Sequence, residues 1–140
     1  MVSREDTNIA LKRLADEATG EIAQSVHDVA ASFVAGGGYG TARMHKVGNA
    51  KIVETFRNAT SRMAHEAARC HSPSVVRRLV DDNLAKLIDR TLAQRAEHLR
   101  TGNVASEEME LLCSYLRQDL KRLKDATVRE LSAGKPHTRS

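Results

Sequence analysis

Apolar residues recur at steps of three and four along four stretches of this chain, and short turn-forming breaks separate them. The first stretch runs from about Arg4 to Ala35. Leu11, Leu14, Ala15, Ala18, Ile22, Val26, Val29, Ala30 and Phe33 form its stripe. The steps hold through Gly20, so one long helix is expected to carry that glycine inside it. Ser3 with Asp6 three residues on makes a capping arrangement at its start.

The second stretch, about Thr41 to Cys70, lines up Val47, Ile52, Val53, Phe56, Ala59, Met63, Ala67 and Cys70. Gly48 beside Asn49 marks a place for a kink or a split-off first turn. Ser72 then suits an N-cap, and Pro73 suits the first helical position, where its missing N–H is not needed. The third stretch, Pro73 to about Arg100, points Val76, Leu79, Val80, Leu84, Leu87, Ile88, Leu92, Ala96 and Leu99 inward. Gly102 is placed to end it in the left-handed conformation.

The fourth stretch begins at Asn103 or Ser106 and stops at Gly134. It carries Met109, Leu112, Cys113, Leu116, Leu120, Leu123, Thr127 and Leu131. Its first turn is acidic (Glu107, Glu108, Glu110) and its latter half basic (Lys121, Arg122, Lys124, Arg129), the order a helix dipole favours.

Helices of about 28 residues, each about 40 Å long, joined by links this short, predict antiparallel packing. The expected fold is all-α: an antiparallel up-and-down bundle of about four long helices, either closed in one chain or completed by dimerisation. Residues 1–133 form one helical-bundle domain in this reading, and 134–140 a disordered tail. Composition agrees. Aromatics are 3% of the chain and tryptophan is absent, so the core is aliphatic, as suits close-packed helices. Leucine is concentrated in the last two helices. There Leu111 and Tyr115 lie beside the main stripe and form a second apolar strip, a candidate seat for another copy of the chain.

Charge changes the picture at one place. Residues 1–35 hold 3 basic and 6 acidic side chains, whereas residues 36–72 hold 6 basic and 2 acidic. No acid lies between Asp28 and Glu54. The basic segment 43–69 could meet nucleic acid, a protein partner, or the acidic first helix of the same chain; the last needs no ligand.

Within that segment, "AGGGYGTARMHK" is the most function-like stretch. A phosphate-binding loop needs a preceding strand and a Gly-Lys-Ser/Thr ending. Here a helix precedes, and the ending is Gly40-Thr41-Ala42-Arg43. What survives is general anion binding at a helix N-terminus, with Gly40, Thr41, Arg43, His45, Lys46 and Lys51 as candidate anion or nucleic-acid contacts. Otherwise the stretch is a flexible connection in which Gly36 terminates the first helix.

Other chemistry is not supported. There is no Glu-x-x-His for a di-metal bundle site, and His65, Cys70 and His71 lack metal-ligand spacing. His65 lacks the following lysine and glycine of a phosphotransfer helix. No Cys–His pair comes with an evident oxyanion hole. No cofactor, metal or catalytic residue is therefore assigned. No apolar run approaches the ~20 residues of a membrane span. The charged N-terminus is not a secretory leader, so a cytoplasmic place is expected and Cys70 and Cys113 read as small buried hydrophobes.

Function follows by exclusion. The leading expectation is a non-enzymatic helical interaction protein, an adaptor, regulator or subunit, with a protein partner or itself as a homodimer. The alternative is a nucleic-acid-associated accessory protein. A small enzyme ranks third, because it would require a buried polar cluster that the stripes do not show.

Overall fold

A computed structural model describes residues 2–132. It contains four helices: α1 (Arg4–Gly36), α2 (Ala42–Ala68), α3 (Pro73–Thr101) and α4 (Ser106–Ser132). The expected disordered tail lies outside the described residues.

The ends follow from the caps. The Asp6 N–H donates to Ser3 Oγ at 3.0 Å, and the Met44 N–H to Thr41 Oγ1 at 3.2 Å. Ser72 has the extended backbone of an N-cap, but its side chain makes no capping hydrogen bond; Pro73 starts the helix behind it. α1 runs one residue past the expected Ala35, through Gly36. Gly37 ends it at φ 80°, with the Gly38 N–H on Phe33 O at 2.8 Å.

The end of α3 corrects the sequence reading. Gly102 sits at φ −80°, and the left-handed residue is Asn103 at φ 60°. The Val104 N–H reaches Leu99 O at 3.0 Å and the Asn103 N–H reaches Arg100 O at 3.0 Å, the two bonds of a Schellman turn with asparagine in the glycine position. Asparagine tolerates that region well enough for the turn to be placed one residue later.

Both α1 and α2 are continuous through their internal glycines. Gly20 is exposed, and a Cβ there would meet nothing within 4 Å. Gly20→Ala is therefore expected to stabilise the protein by about 1 kcal/mol, a rise of about 3 °C in Tm. Thermal unfolding checks this. An unchanged or lower Tm would mean that α1 is not under helix-propensity control at its centre.

The bundle is closed within one chain. Its core draws Leu11, Ala18 and Ile22 from α1, Ile52, Phe56 and Met63 from α2, Val80, Leu84 and Leu87 from α3, and Leu116 and Leu120 from α4, all almost wholly buried. Directions alternate, but the neighbours are not simply the sequential ones. α1 packs on α2 and α3; α4 packs on α3 and α2; α1 and α4 do not touch among the described residues. α2 and α3 make the slightest of the remaining contacts and lie across the diagonal. The short link between them thus crosses one end of the bundle. His71 is tied down there, its Nε2 2.6 Å from Thr7 Oγ1.

Polar bonds fix the lateral pairings. Arg62 donates to Glu21 at 2.5 Å, Arg90 to Asp16 at 2.8 Å, Asn83 to Asn8 at 2.7 Å and Lys124 to Asp81 at 2.7 Å. Because the surface ion pairs among these are solvated, they set register more than stability.

Candidate functional site

The end of the bundle that carries the glycine joint differs from the rest. The cluster of buried apolar residues ends at Ile22, Ile52, Leu92 and Leu116 on its way to that end, with the half-buried Val26 packed against it and Val29, Leu99 and Leu112 buried separately further on. Beyond it, the diagonal between α2 and α3 is filled by Arg95, which is only 4% exposed. Its Nε–H donates to Asn49 Oδ1 at 2.9 Å and its Nη2–H to the His45 carbonyl at 2.9 Å. Asn49 passes the connection on, its Nδ2–H donating to Leu112 O at 3.0 Å. One arginine and one asparagine thereby join α2, α3 and α4.

Room for the guanidinium comes from Gly48. A Cβ at that position would stand 3.0 Å from Arg95 Nη2 and 3.4 Å from Nη1. Among the described residues no carboxylate forms an ion pair with Arg95. Its charge is held by neutral acceptors alone, which is unusual for a buried cation. Burial pushes its pKa down, with the Cys113 thiol the one group acting in the opposite sense.

The surrounding groups respond to that charge. Burial, and then the Arg95 guanidinium, hold His45 and His98 below the ordinary imidazole value of 6.5; Glu108 partly offsets this at His45, and Glu97 at His98. Burial raises the half-buried Cys113 thiol against the pull of Arg95 and Arg117. His98 Nδ1 and Gln94 Oε1 are buried without a hydrogen-bond partner.

Two neutral imidazoles here make stability depend on pH. The unfolded chain takes up protons at these histidines below 6.5, and the native state takes them up only at lower pH. Stability is therefore present in full above 6.5 and is lost as pH falls through 6.5 toward the lowered native values. Urea unfolding at about pH 7.5 and pH 5.5, above the range where carboxylates titrate, is expected to show that loss. Replacing His45 and His98 together by glutamine should flatten it. An equally steep decline in the double variant would assign the effect elsewhere.

The residues singled out in the sequence do not form one site. Thr41 is used up as a cap: its Oγ1 accepts from Met44 and donates to Gly38 O at 2.7 Å. The Gly40 N–H points at Met44 Sδ, 3.4 Å away. Arg43 and Lys46 are exposed and form no ion pair among the described residues, so the acidic first helix does not neutralise them. The acids of α1 instead meet Arg62 and Arg90. Lys51 pairs with Glu54 at 3.6 Å and lines an open groove of about 330 Å³ with Asp28, Val29, Phe33 and Val47. His45 turns inward, away from all of these.

Leu111 and Tyr115, 56% and 59% exposed, stand one turn apart on the outward side of α4. The other large exposed apolar residues (Val2, Ile9, Val34 and Tyr39) are scattered.

The buried polar cluster is a correction to the reading of the stripes, which gave no sign of one. Arg95 lies three residues after Leu92 and four before Leu99, squarely on the inward stripe of α3. That registry was the available signal; Ala96 was a more natural-looking occupant. Cys70 and Cys113 are half-buried rather than core residues. Among the described residues no group of three or more His, Cys, Asp or Glu is placed to hold a metal ion. No helix among the described residues is long and apolar enough to cross a membrane.

Comparison with known proteins finds no matching family model, no matching curated protein and no matching solved structure.

Proposed function

We propose that this chain is a non-enzymatic helical interaction protein that presents the outward strip of α4 to a protein partner. One observation carries the reading. Leu111 and Tyr115 are the only large exposed apolar pair on one helical face among the described residues, and the bundle core does not use them. Tyrosine with an aliphatic neighbour is a characteristic anchor at protein interfaces, since both give large contact area at low entropic cost. Behind the strip, Arg95 and Asn49 tie α2, α3 and α4 together. The polar atoms of Arg95 and Asn49 are engaged with one another and with backbone oxygens, which favours a structural part for them over a chemical one.

The test is capture from an extract of the source cells by immobilised protein. The wild-type chain is expected to retain its partner, and the Leu111→Glu/Tyr115→Glu double variant to retain at least about tenfold less, both folded by circular dichroism. Equal retention by both chains would overturn the reading.

A second reading rests on Arg43 and Lys46, which are exposed and form no ion pair among the described residues, close in sequence to the exposed Tyr39 in the joint. It is a nucleic-acid-associated accessory role. It expects affinity that falls with salt at a log–log slope of about −2 to −3, and falls further on charge reversal at Arg43, Lys46 and Lys51. No binding to single- or double-stranded nucleic acid in low salt would end it.

A further inference from the structure

We propose that the partner on the α4 strip is a second copy of this chain, paired antiparallel through α4 about a two-fold axis at Tyr115. The inference rests on the reading of that strip as a binding face, and it names the occupant.

The argument begins with the spacing of residues on one helix. At 3.6 residues per turn, positions seven apart return to within about 20° of each other. Glu108, Tyr115 and Arg122 are such a series, all exposed. Glu108 precedes Tyr115 by the same distance that Arg122 follows it, about 10.5 Å along the axis. An antiparallel copy related by a two-fold axis at Tyr115 therefore brings Glu108 of each chain opposite Arg122 of the other. The complementarity is built twice into the interface, as an isologous contact requires.

A parallel pairing of the same helices would instead set Glu108 against Glu108 and Arg122 against Arg122. Arg122 is free to make the contact. Among the described residues it pairs only with Asp119, at 3.4 Å, and its side chain remains 74% exposed.

The apolar pair falls into the same register. With the axis at Tyr115, Leu111 of one chain lies opposite position 119 of the other. It enters the diamond formed by Tyr115, Gln118, Asp119 and Arg122, the i, i+3, i+4, i+7 hole of knobs-into-holes packing. The two Tyr115 rings meet across the axis, where offset stacking is available. On ideal geometry Glu108, Leu111, Tyr115 and Arg122 lie within about 40° of a common line along α4, with the core-facing Leu112 about 70° round from that line and Leu116 and Leu120 further still. Leu111 and Tyr115 are exposed, and among the described residues α4 packs against α2 and α3 alone. One strip of one helix is a small interface, so the association belongs to the weak, micromolar class.

Sedimentation equilibrium from about 10 µM to about 1 mM tests this. The wild-type chain is expected to pass from monomer to dimer across that range, and Tyr115→Glu to stay monomeric. Glu108→Arg and Arg122→Glu singly should each weaken the dimer about tenfold. The Glu108→Arg/Arg122→Glu double variant should return to within about twofold of wild type, because the opposite charges then face each other again. Rescue by the double swap supports the proposal.

A chain monomeric throughout the range overturns it, and so does a dimer indifferent to the single swaps or not restored by the double swap. A monomer that still loses a cellular partner on Leu111→Glu/Tyr115→Glu overturns self-pairing while leaving the interaction reading in place. Equal cellular capture by wild type and that variant defeats the broader reading as well.

Discussion

Truncation of Arg95 to alanine is expected to lower the unfolding free energy by about 3 kcal/mol, or Tm by about 10 °C. Two effects oppose each other. Removing a buried cation that no carboxylate balances relieves a desolvation cost. Against that, the His45 carbonyl and Asn49 Oδ1 lose a charge-assisted donor, at about 1–3 kcal/mol for each group left unsatisfied, and a cavity opens across the α2–α3 diagonal.

The second effect prevails, because both lost hydrogen bonds and the cavity lie in the same buried volume. Arg95→Met separates them. It keeps the apolar stem and fills most of the space while removing the same donors, so its loss should be about half that of alanine. Equilibrium urea unfolding of both variants decides the matter. An alanine variant as stable as wild type would show that the guanidinium contributes nothing net at the seam.

Gly48→Leu should be equally damaging, at about 3 kcal/mol, for the complementary reason. A Cβ alone would stand 3.0 Å from Arg95 Nη2, and the branched side chain beyond it needs the volume the guanidinium occupies. Helix propensity argues the other way, since leucine is favoured over glycine by somewhat less than 1 kcal/mol in a helix interior. Combining the substitutions exposes the conflict. In the Arg95→Ala background the obstruction is gone and a cavity awaits filling. There Gly48→Leu should cost less than about 1 kcal/mol, giving a coupling of about 2 kcal/mol. Strict additivity of the two losses would mean that the residues do not share one space. Gly48→Ala is a milder version of the same test, with a smaller loss expected.

The helices were legible because their local signals agreed. Ser3, Thr41 and Pro73 mark starts, the glycine run marks a stop, and the stripes between them are unbroken. The diagonal placement of α2 and α3 was not legible. A link of a few residues can join adjacent helices or cross a bundle end, and only packing of all four stripes decides between them. Arg95 escaped notice for a related reason. A stripe read by residue type assigns arginine to solvent, and here its acceptors come from α2, 46 and 50 residues away in sequence. Leu111 and Tyr115 could be picked out because they are surplus to a stripe already complete without them.

The ending of the apolar cluster short of the glycine joint has a consequence for motion. Cohesion in this bundle is graded along its axis. Beyond Ile22, Ile52, Leu92 and Leu116, the hydrogen bonds of Arg95 and a few separately buried apolar residues (Val29, Leu99 and Leu112) replace the continuous cluster. Hydrogen bonds are directional and fail together once their geometry is lost, whereas a leucine stripe yields gradually. That end is where the helices can part first, as a cooperative unit smaller than the whole domain. The latch on such opening is a single side chain, Arg95, reaching across from α3 to α2.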